Sequence, residues 1–153
     1  MEIRQTISPD VVDVLHHEHL EIRRLCTDVL QAGRDHRKRP LAALQQAVHL
    51  HQLGEVAIVH PAVRNSGPNA TVVALECQVK GELLDRSLTE LDRLGSGHPD
   101  FDERFAEVSD ALLDHVTHQE RDEFPLLRRY VSTQRLHMMA GAMRDAQIMG
   151  GQA

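Results

Sequence analysis

Aromatic residues are scarce in this chain: only 3% of its 153 residues are Phe, Tyr or Trp, and Trp is absent. Because β-sandwiches and barrels draw heavily on aromatic and β-branched side chains, this composition argues against an all-β fold. Cysteine is also scarce, and the two cysteines lie 51 positions apart. This count excludes a disulfide framework and favours a reducing compartment. The N-terminus lacks the basic start and apolar run of a signal peptide, so we expect a cytoplasmic protein.

Positive charge is in the minority. The chain has 17 Lys and Arg residues against 23 Asp and Glu residues, which gives a net charge of −6. Nucleic acid and anionic membrane surfaces would repel such a protein, so we expect neither as a partner. Hydrophobic residues make up 41% of the chain and charged residues 26%. These fractions are typical of one globular domain with its own core.

Proline and glycine divide the chain into four long helical segments and a short fifth one. The breaks fall near Gly33, between Asn65 and Pro68, and between Gly95 and Pro99, and Ser132 precedes the last segment. No segment alternates with the period of a strand. Long helices joined by short connections pack as antiparallel neighbours. We therefore predict an all-α, up-down-up-down four-helix bundle over residues 9–131, after a tail at 1–8 and before a short helix and tail at 132–153.

The second and fourth helical segments look like duplicates. A shift of 64 positions places His51 on His115, Pro61 on Pro125 and Arg64 on Arg128. In both segments a histidine stands ten residues before a proline. Since proline within a helix removes a backbone hydrogen bond, its repetition predicts a shared kink or break.

Histidine is abundant, with 11 residues in the chain. At helical spacing, His19, His51 and His115 each fall among apolar residues on one face of a helix, and Glu55 follows His51 by one turn. A single inward histidine is ordinarily a hydrogen-bonded core residue. Three such histidines and a carboxylate on different helices instead form a set that suits a metal ion between helices.

The remaining histidines fit this site less well. His118 lies one turn after His115 and is expected at the edge of the site, and His16 is expected on a solvent-facing flank of His19. The sequence pattern predicts surface, loop or turn positions for a further group of histidines: His36, His49, His60, His98 and His137.

These residues resemble the hemerythrin-like (HHE cation-binding) domains. The likeness rests on the run from Asp10 to Arg24, on His51-x-x-x-Glu55 before a proline, and on His115 ten residues before Pro125. The resemblance implies a four-helix bundle that holds two bridged irons, which meet dioxygen, peroxide or a related small molecule. It also implies that His19, His51, Glu55 and His115 are metal ligands.

The sequence departs from the family pattern in the third and fourth helices. Gln119 stands where the family has a glutamate, and Glu120 follows it, so we predict Glu120 as a fifth ligand. Cys77 stands where the third helix of the family supplies a histidine. A buried cysteine is more often a small core residue than a ligand. Cys77, Gln119 and His118 are therefore additional candidates only.

Three interpretations follow from this set. The first is an iron site for oxygen or peroxide chemistry, whose enzymatic form is an oxidase, an oxygenase or a peroxide-consuming activity with no assigned catalytic residue. The second is a site for one metal, whether iron or another divalent ion. The third is a metal-poor bundle that serves as a regulatory or interaction module. Because the third helix offers only Cys77, the sequence predicts fewer than two tightly held metals.

Overall fold

The computed structural model describes residues 8–151, and over that range it contains five helices and no strand. The first helix is Val11–Gln31. The second runs through Lys38–Gly54, Glu55–Val59 and His60–Arg64. The third is Pro68–Leu94, and the fourth runs through Phe101–His118, Gln119–Glu123 and Phe124–Tyr130. The fifth is Thr133–Gly150. The predicted all-α architecture is confirmed. The predicted N-terminal tail, residues 1–8, lies outside the described residues except for Ser8.

The bundle has an apolar core at each end and a polar layer between them. Along the first helix, Leu15 belongs to one core and Ile22 to the other, and the fully buried His19 lies between them. The second helix follows the same plan, with Val48 in one core and Val59 in the other. The sequence therefore places its inward polar residues at mid-length, where two apolar layers shield them from water.

The fifth helix lies in the segment that the sequence predicted after Ser132, and it extends over 18 residues. Ser132 caps its start by accepting a hydrogen bond from the backbone N–H of Arg135 at 3.2 Å. Leu136, Met139 and Met143 are buried in one of the two cores. This helix therefore adds a fifth packed element to the bundle rather than a loose end.

The second and fourth helices widen at equivalent places. Each contains one π-helical turn, Glu55–Val59 in the second and Gln119–Glu123 in the fourth, and the two turns are 64 positions apart like the sequence repeat. The backbone N–H of His60 donates to the carbonyl of Glu55, five residues earlier. Pro61 and Pro125 follow the two turns and have no N–H to donate, which favours the wider turn. The predicted shared distortion is confirmed.

Among residues 8–151, no helix is both long enough and apolar enough to cross a membrane.

Candidate metal centre

His19, His51 and Glu55 meet in the polar layer. The Nε2 atoms of the two imidazoles lie 3.2 Å apart, and the Nε2 atom of His51 also contacts Oε1 of Glu55. The three residues are 0%, 7% and 1% exposed. Their nitrogen and oxygen atoms lie close enough together to ligate one metal ion. These three predicted ligands are therefore brought together by the fold.

An outer carboxylate orients His51. Glu18 accepts a hydrogen bond from Nδ1 of His51 at 2.7 Å, which leaves Nε2 pointing into the polar layer. Metal-ligating histidines are commonly held in this way by a second partner on the other ring nitrogen. Burial alone would lower the pKa of His51, but the carboxylates of Glu55 and Glu18 outweigh it and raise that pKa to about 10. Burial and the neighbouring His51 lower the pKa of His19 to about 3.

A second group of possible ligands adjoins the first and shares Glu55 with it. It consists of Glu55, His60 and Glu123, all buried. The Nε2 atom of His60 lies 3.3 Å from Oε2 of Glu55, and Nδ1 of His60 lies 2.7 Å from Oε2 of Glu123. Glu55 therefore directs one carboxylate oxygen towards each group, which is the arrangement of a bridging ligand between two metals.

Charge is balanced within the second group. Burial raises the pKa of Glu123, and the Glu123 carboxylate raises the pKa of His60 although burial opposes it. The amide of Gln119 donates to Oε1 of Glu123 at 3.1 Å and also to Oε2 of Glu55. Burial tends to raise the pKa of Glu55, but His51, His60 and His19 outweigh it and lower that pKa.

Several buried polar atoms at this centre have no hydrogen-bond partner among the described residues. They include Nε2 of His60, Nδ1 of His115 and Oε1 of Gln119. Since buried polar groups are normally paired, such a concentration marks a place that suits a cation. The imidazole and carboxylate donors fit iron, manganese or zinc. The residues therefore fit the metal that the predicted fold implies.

His115, a predicted ligand, is buried as its helical face predicted, but it belongs to neither group of possible ligands. Burial lowers its pKa to about 4, although the charge of Glu55 acts in the opposite direction. The imidazole is therefore neutral near pH 7. His115 also lines a small cavity of about 10 Å³ with His51 and Gln119.

Glu120, the predicted fifth ligand, lies at the rim of the centre. Its carboxylate forms an ion pair with Arg23 at 2.8 Å and contacts Nδ1 of His16 at 3.2 Å. Its Oε1 atom is 3.5 Å from Nδ1 of His19, which is the outer ring nitrogen. Glu120 belongs to neither group of possible ligands, and its contacts are those of a partner of His19.

The remaining candidates are divided between the centre and its edge. Gln119 lies at the centre, where it links Glu55 to Glu123. His118 is half-buried at the edge and pairs with Asp122 at 3.1 Å. Cys77 is fully buried on the inner face of the third helix, as predicted, but it joins neither group. Burial, together with Glu123 and Glu55, raises the pKa of its thiol.

Sequence reasoning missed His60 and Glu123. The prediction of a surface, loop or turn position for His60 is wrong, because its side chain is fully buried. It lies five positions after Glu55, and only the π turn brings the two onto one side of the helix. Glu123 follows Gln119 by four positions, and this spacing is a signal that could have found it. These two residues complete the second group together with Glu55, and the group contains no ligand from the third helix.

Fold and centre together define a class of protein: helical bundles with a buried histidine and carboxylate metal centre. The hemerythrin HHE cation binding domain model matches residues 10–127, and the chain belongs to this family. The structure is similar to that of a hemerythrin HHE cation binding domain-containing protein, the Rv2633c homolog from Mycobacterium kansasii. The TM-score is 0.81 at 18% identity, over 93% of this chain and 87% of that one.

A curated relative is similar over most of this chain. It is a DNA nickase from Nostoc sp. (strain PCC 7120 / SAG 25.82 / UTEX 2576), and it is 24% identical over 152 residues. The match covers 94% of this chain but only 42% of that protein. The chain therefore spans about two-fifths of the length of this relative.

Proposed function

We propose that this protein holds two non-haem iron ions at mid-bundle and that the iron binds or reacts with dioxygen or peroxide. The observation that carries the proposal is the sharing of Glu55 between two groups of buried ligands. His19 and His51 would hold one ion, His60 and Glu123 the other, and Glu55 would bridge them. The family match and the unpartnered buried atoms support a metal in this place.

The protein's own residues would orient these ligands and keep water away. Glu18 holds a proton on Nδ1 of His51, so a metal would bind at Nε2 and would displace the proton that the raised pKa keeps there. Gln119 holds the carboxylates of Glu55 and Glu123 in place by donating to both. When bound, iron with open coordination positions supplies the binding and reduction of oxygen species. The buried surroundings would limit the access of competing molecules.

The size of the space beside the centre favours a very small ligand. The cavity next to His51, His115 and Gln119 measures about 10 Å³, which is close to the least volume that holds one water molecule. The rest of its lining is mainly apolar, including Ile22, Leu84 and Leu112. Dioxygen and peroxide match this space better than an organic substrate does.

Metal content and absorption test the proposal. Protein produced in iron-replete cells is expected to contain about two irons per chain and to show an oxo-to-iron band in the near ultraviolet. Reduction is expected to remove that band, and addition of dioxygen or peroxide to the reduced protein is expected to restore it. A colourless, metal-free protein whose melting temperature ignores added Fe(II) would overturn the proposal and favour the alternative, a regulatory or protein-interaction module. Turnover of peroxide or consumption of dioxygen would identify the enzymatic form.

We also propose that the protein is cytoplasmic and acts on a small molecule, without a nucleic-acid or membrane partner. The net charge of −6 supports the absence of a nucleic-acid partner, because duplex DNA repels an acidic surface. The name of the Nostoc relative raises DNA nicking as the competing activity. Incubation of the iron-loaded protein with supercoiled plasmid is expected to leave the plasmid closed, and nicked circles would contradict the proposal.

A further inference from the structure

The fifth helix lies beyond the residues that the family model matches, yet it reaches the metal centre. The side-chain amide of Gln147 donates to Oε2 of Glu18 at 3.0 Å and to the backbone carbonyl of Leu50 at 3.2 Å. Glu18 in turn accepts from Nδ1 of His51 at 2.7 Å. One amide nitrogen therefore contacts the first and second helices at the level of His51.

We propose that Gln147 and Glu18 are positioning residues that fix the ring of His51 for metal binding. Glu18 is 22% exposed as a side chain, so without a second partner its carboxylate would be free to turn towards water. Gln147 restricts that movement because its amide contacts both carboxylate oxygens, at 3.3 and 3.0 Å. The fifth helix thereby becomes a functional part of the centre rather than only a packed addition.

The backbone of the second helix is shaped for this contact. Gly54 lies between His51 and Glu55, and a Cβ atom there would stand 2.7 Å from Cγ of Met143 and 3.1 Å from Nε2 of Gln147. A side chain at position 54 would therefore displace the side chains of Met143 and Gln147. Glycine costs about 1 kcal/mol relative to alanine within a helix, and the close approach of the fifth helix explains its presence. Met143, one turn before Gln147, is fully buried and fixes the depth of this contact.

The inference rests on the proposed function for its metal, but the hydrogen-bond chain joins protein groups only and can be tested without metal. Two variants isolate it. Gln147→Met keeps an unbranched side chain of similar length and removes the amide. Gln134→Met makes the same change at an exposed position of the same helix and serves as the matched control.

The first measurement uses the full-length metal-free protein. In a histidine-optimised proton–nitrogen NMR spectrum, the Nδ1 proton of His51 is expected as a low-field resonance, assigned by its loss in His51→Gln. The resonance should persist in Gln134→Met and should shift or broaden in Gln147→Met. A helix that merely packs would lower the melting temperature of the variant without moving this resonance.

The second measurement is an anaerobic titration with Fe(II) alone. Removal of such an outer partner typically weakens metal binding by about 10- to 100-fold. We expect Glu18→Gln and Gln147→Met to weaken one of the two irons within that range, while the iron at His60 and Glu123 keeps its affinity. If Gln147→Met does not fold, Gln147→Glu replaces it, since it keeps the length and sets a second carboxylate against Glu18.

The outcomes separate this inference from the proposed function. A parent protein that binds no iron overturns the proposed function, and the NMR comparison still decides whether Gln147 positions His51. The inference alone is overturned by a different result. In that case the parent protein binds two irons, and Gln147→Met behaves like Gln134→Met in both the NMR comparison and the Fe(II) titration.

Discussion

Nε2 of His60 lies 3.3 Å from Oε2 of Glu55, although the two residues are five positions apart in one helix. In a regular α-helix, residues five apart point about 140° away from each other. The π turn Glu55–Val59 removes this divergence by adding one residue to the turn. A local change in helical pitch therefore supplies the ligand that allows a second metal.

The first prediction concerns the second metal. We expect His60→Gln and Glu123→Gln each to reduce bound iron from about two per chain to about one, because both side chains belong only to the second group. His98→Ala, at an exposed turn residue, is the control and should keep both irons. Elemental analysis after gel filtration gives the measurement, and circular dichroism checks the fold. Loss of both irons in either variant would mean that the two groups do not bind independently.

The fold follows from features that the sequence displays directly. Helix-breaking residues mark the connections, and the face that carries His19, His51 and His115 is regular over several turns. All three histidines are buried, as that regularity predicted. The sequence period predicts the buried face correctly because apolar burial determines which face of each helix turns inward.

Periodicity fails where the helix departs from 3.6 residues per turn. His60 was missed because the prediction assumed a regular helix beyond Glu55. On the fourth helix Glu123 is the fully buried acid, whereas its neighbour Asp122 pairs with Arg121 at 2.9 Å. The prolines indicated a distortion, but its kind depends on the surrounding packing. The glycine at position 54 could not be explained from the sequence either, because the residues that exclude a Cβ atom there belong to the fifth helix.

The second prediction separates two roles for Glu120. If Glu120 is a ligand, which is the role that the sequence predicted, then Glu120→Gln should remove an iron. The contacts with Arg23 and with the outer nitrogen of His19 favour a different result. We expect Glu120→Gln to retain two irons and to weaken only the iron at His19, by about tenfold, as for other outer partners. Fe(II) titration measures this, and an iron content near one per chain would restore Glu120 as a ligand.

The third prediction concerns stability and pH at the start of the first helix. Asp10 accepts from the backbone N–H of Asp13 at 3.0 Å and pairs with Arg128 at 2.8 Å. Burial tends to raise the pKa of Asp10, but these partners outweigh it and lower that pKa below 3.8. The charged form is therefore favoured by folding. Its stabilisation is complete above about pH 4 and disappears as the pH falls through the lowered pKa.

We accordingly expect Asp10→Ala to reduce the free energy of unfolding by about 1 kcal/mol at pH 7, the usual cost of losing an N-cap. Urea denaturation of the metal-free protein measures it. Asp92→Ala, at an exposed position of the third helix, is the control and should change stability little. The gap between the two variants should shrink at pH 3. A gap that stays constant with pH would show that the charge of Asp10 contributes nothing.

The last prediction concerns Cys77, which stands where the family has a third-helix histidine. Burial and the nearby carboxylates of Glu123 and Glu55 raise the pKa of its thiol. A protonated thiol is a poor iron ligand, because the thiolate is the form that binds metal. Cys77 also joins neither group of possible ligands, and we therefore expect no sulfur-to-iron absorption in the visible spectrum of the iron-loaded protein.

Two variants test this role. Cys77→Ser should keep the iron content of the parent protein and lose some stability, since the hydroxyl is more costly to bury than the thiol. Cys77→His introduces an imidazole beside Glu123 and should tighten the second iron. A visible sulfur-to-iron band that vanishes in Cys77→Ser, together with loss of iron, would instead identify Cys77 as a ligand and the third helix as a contributor to the centre.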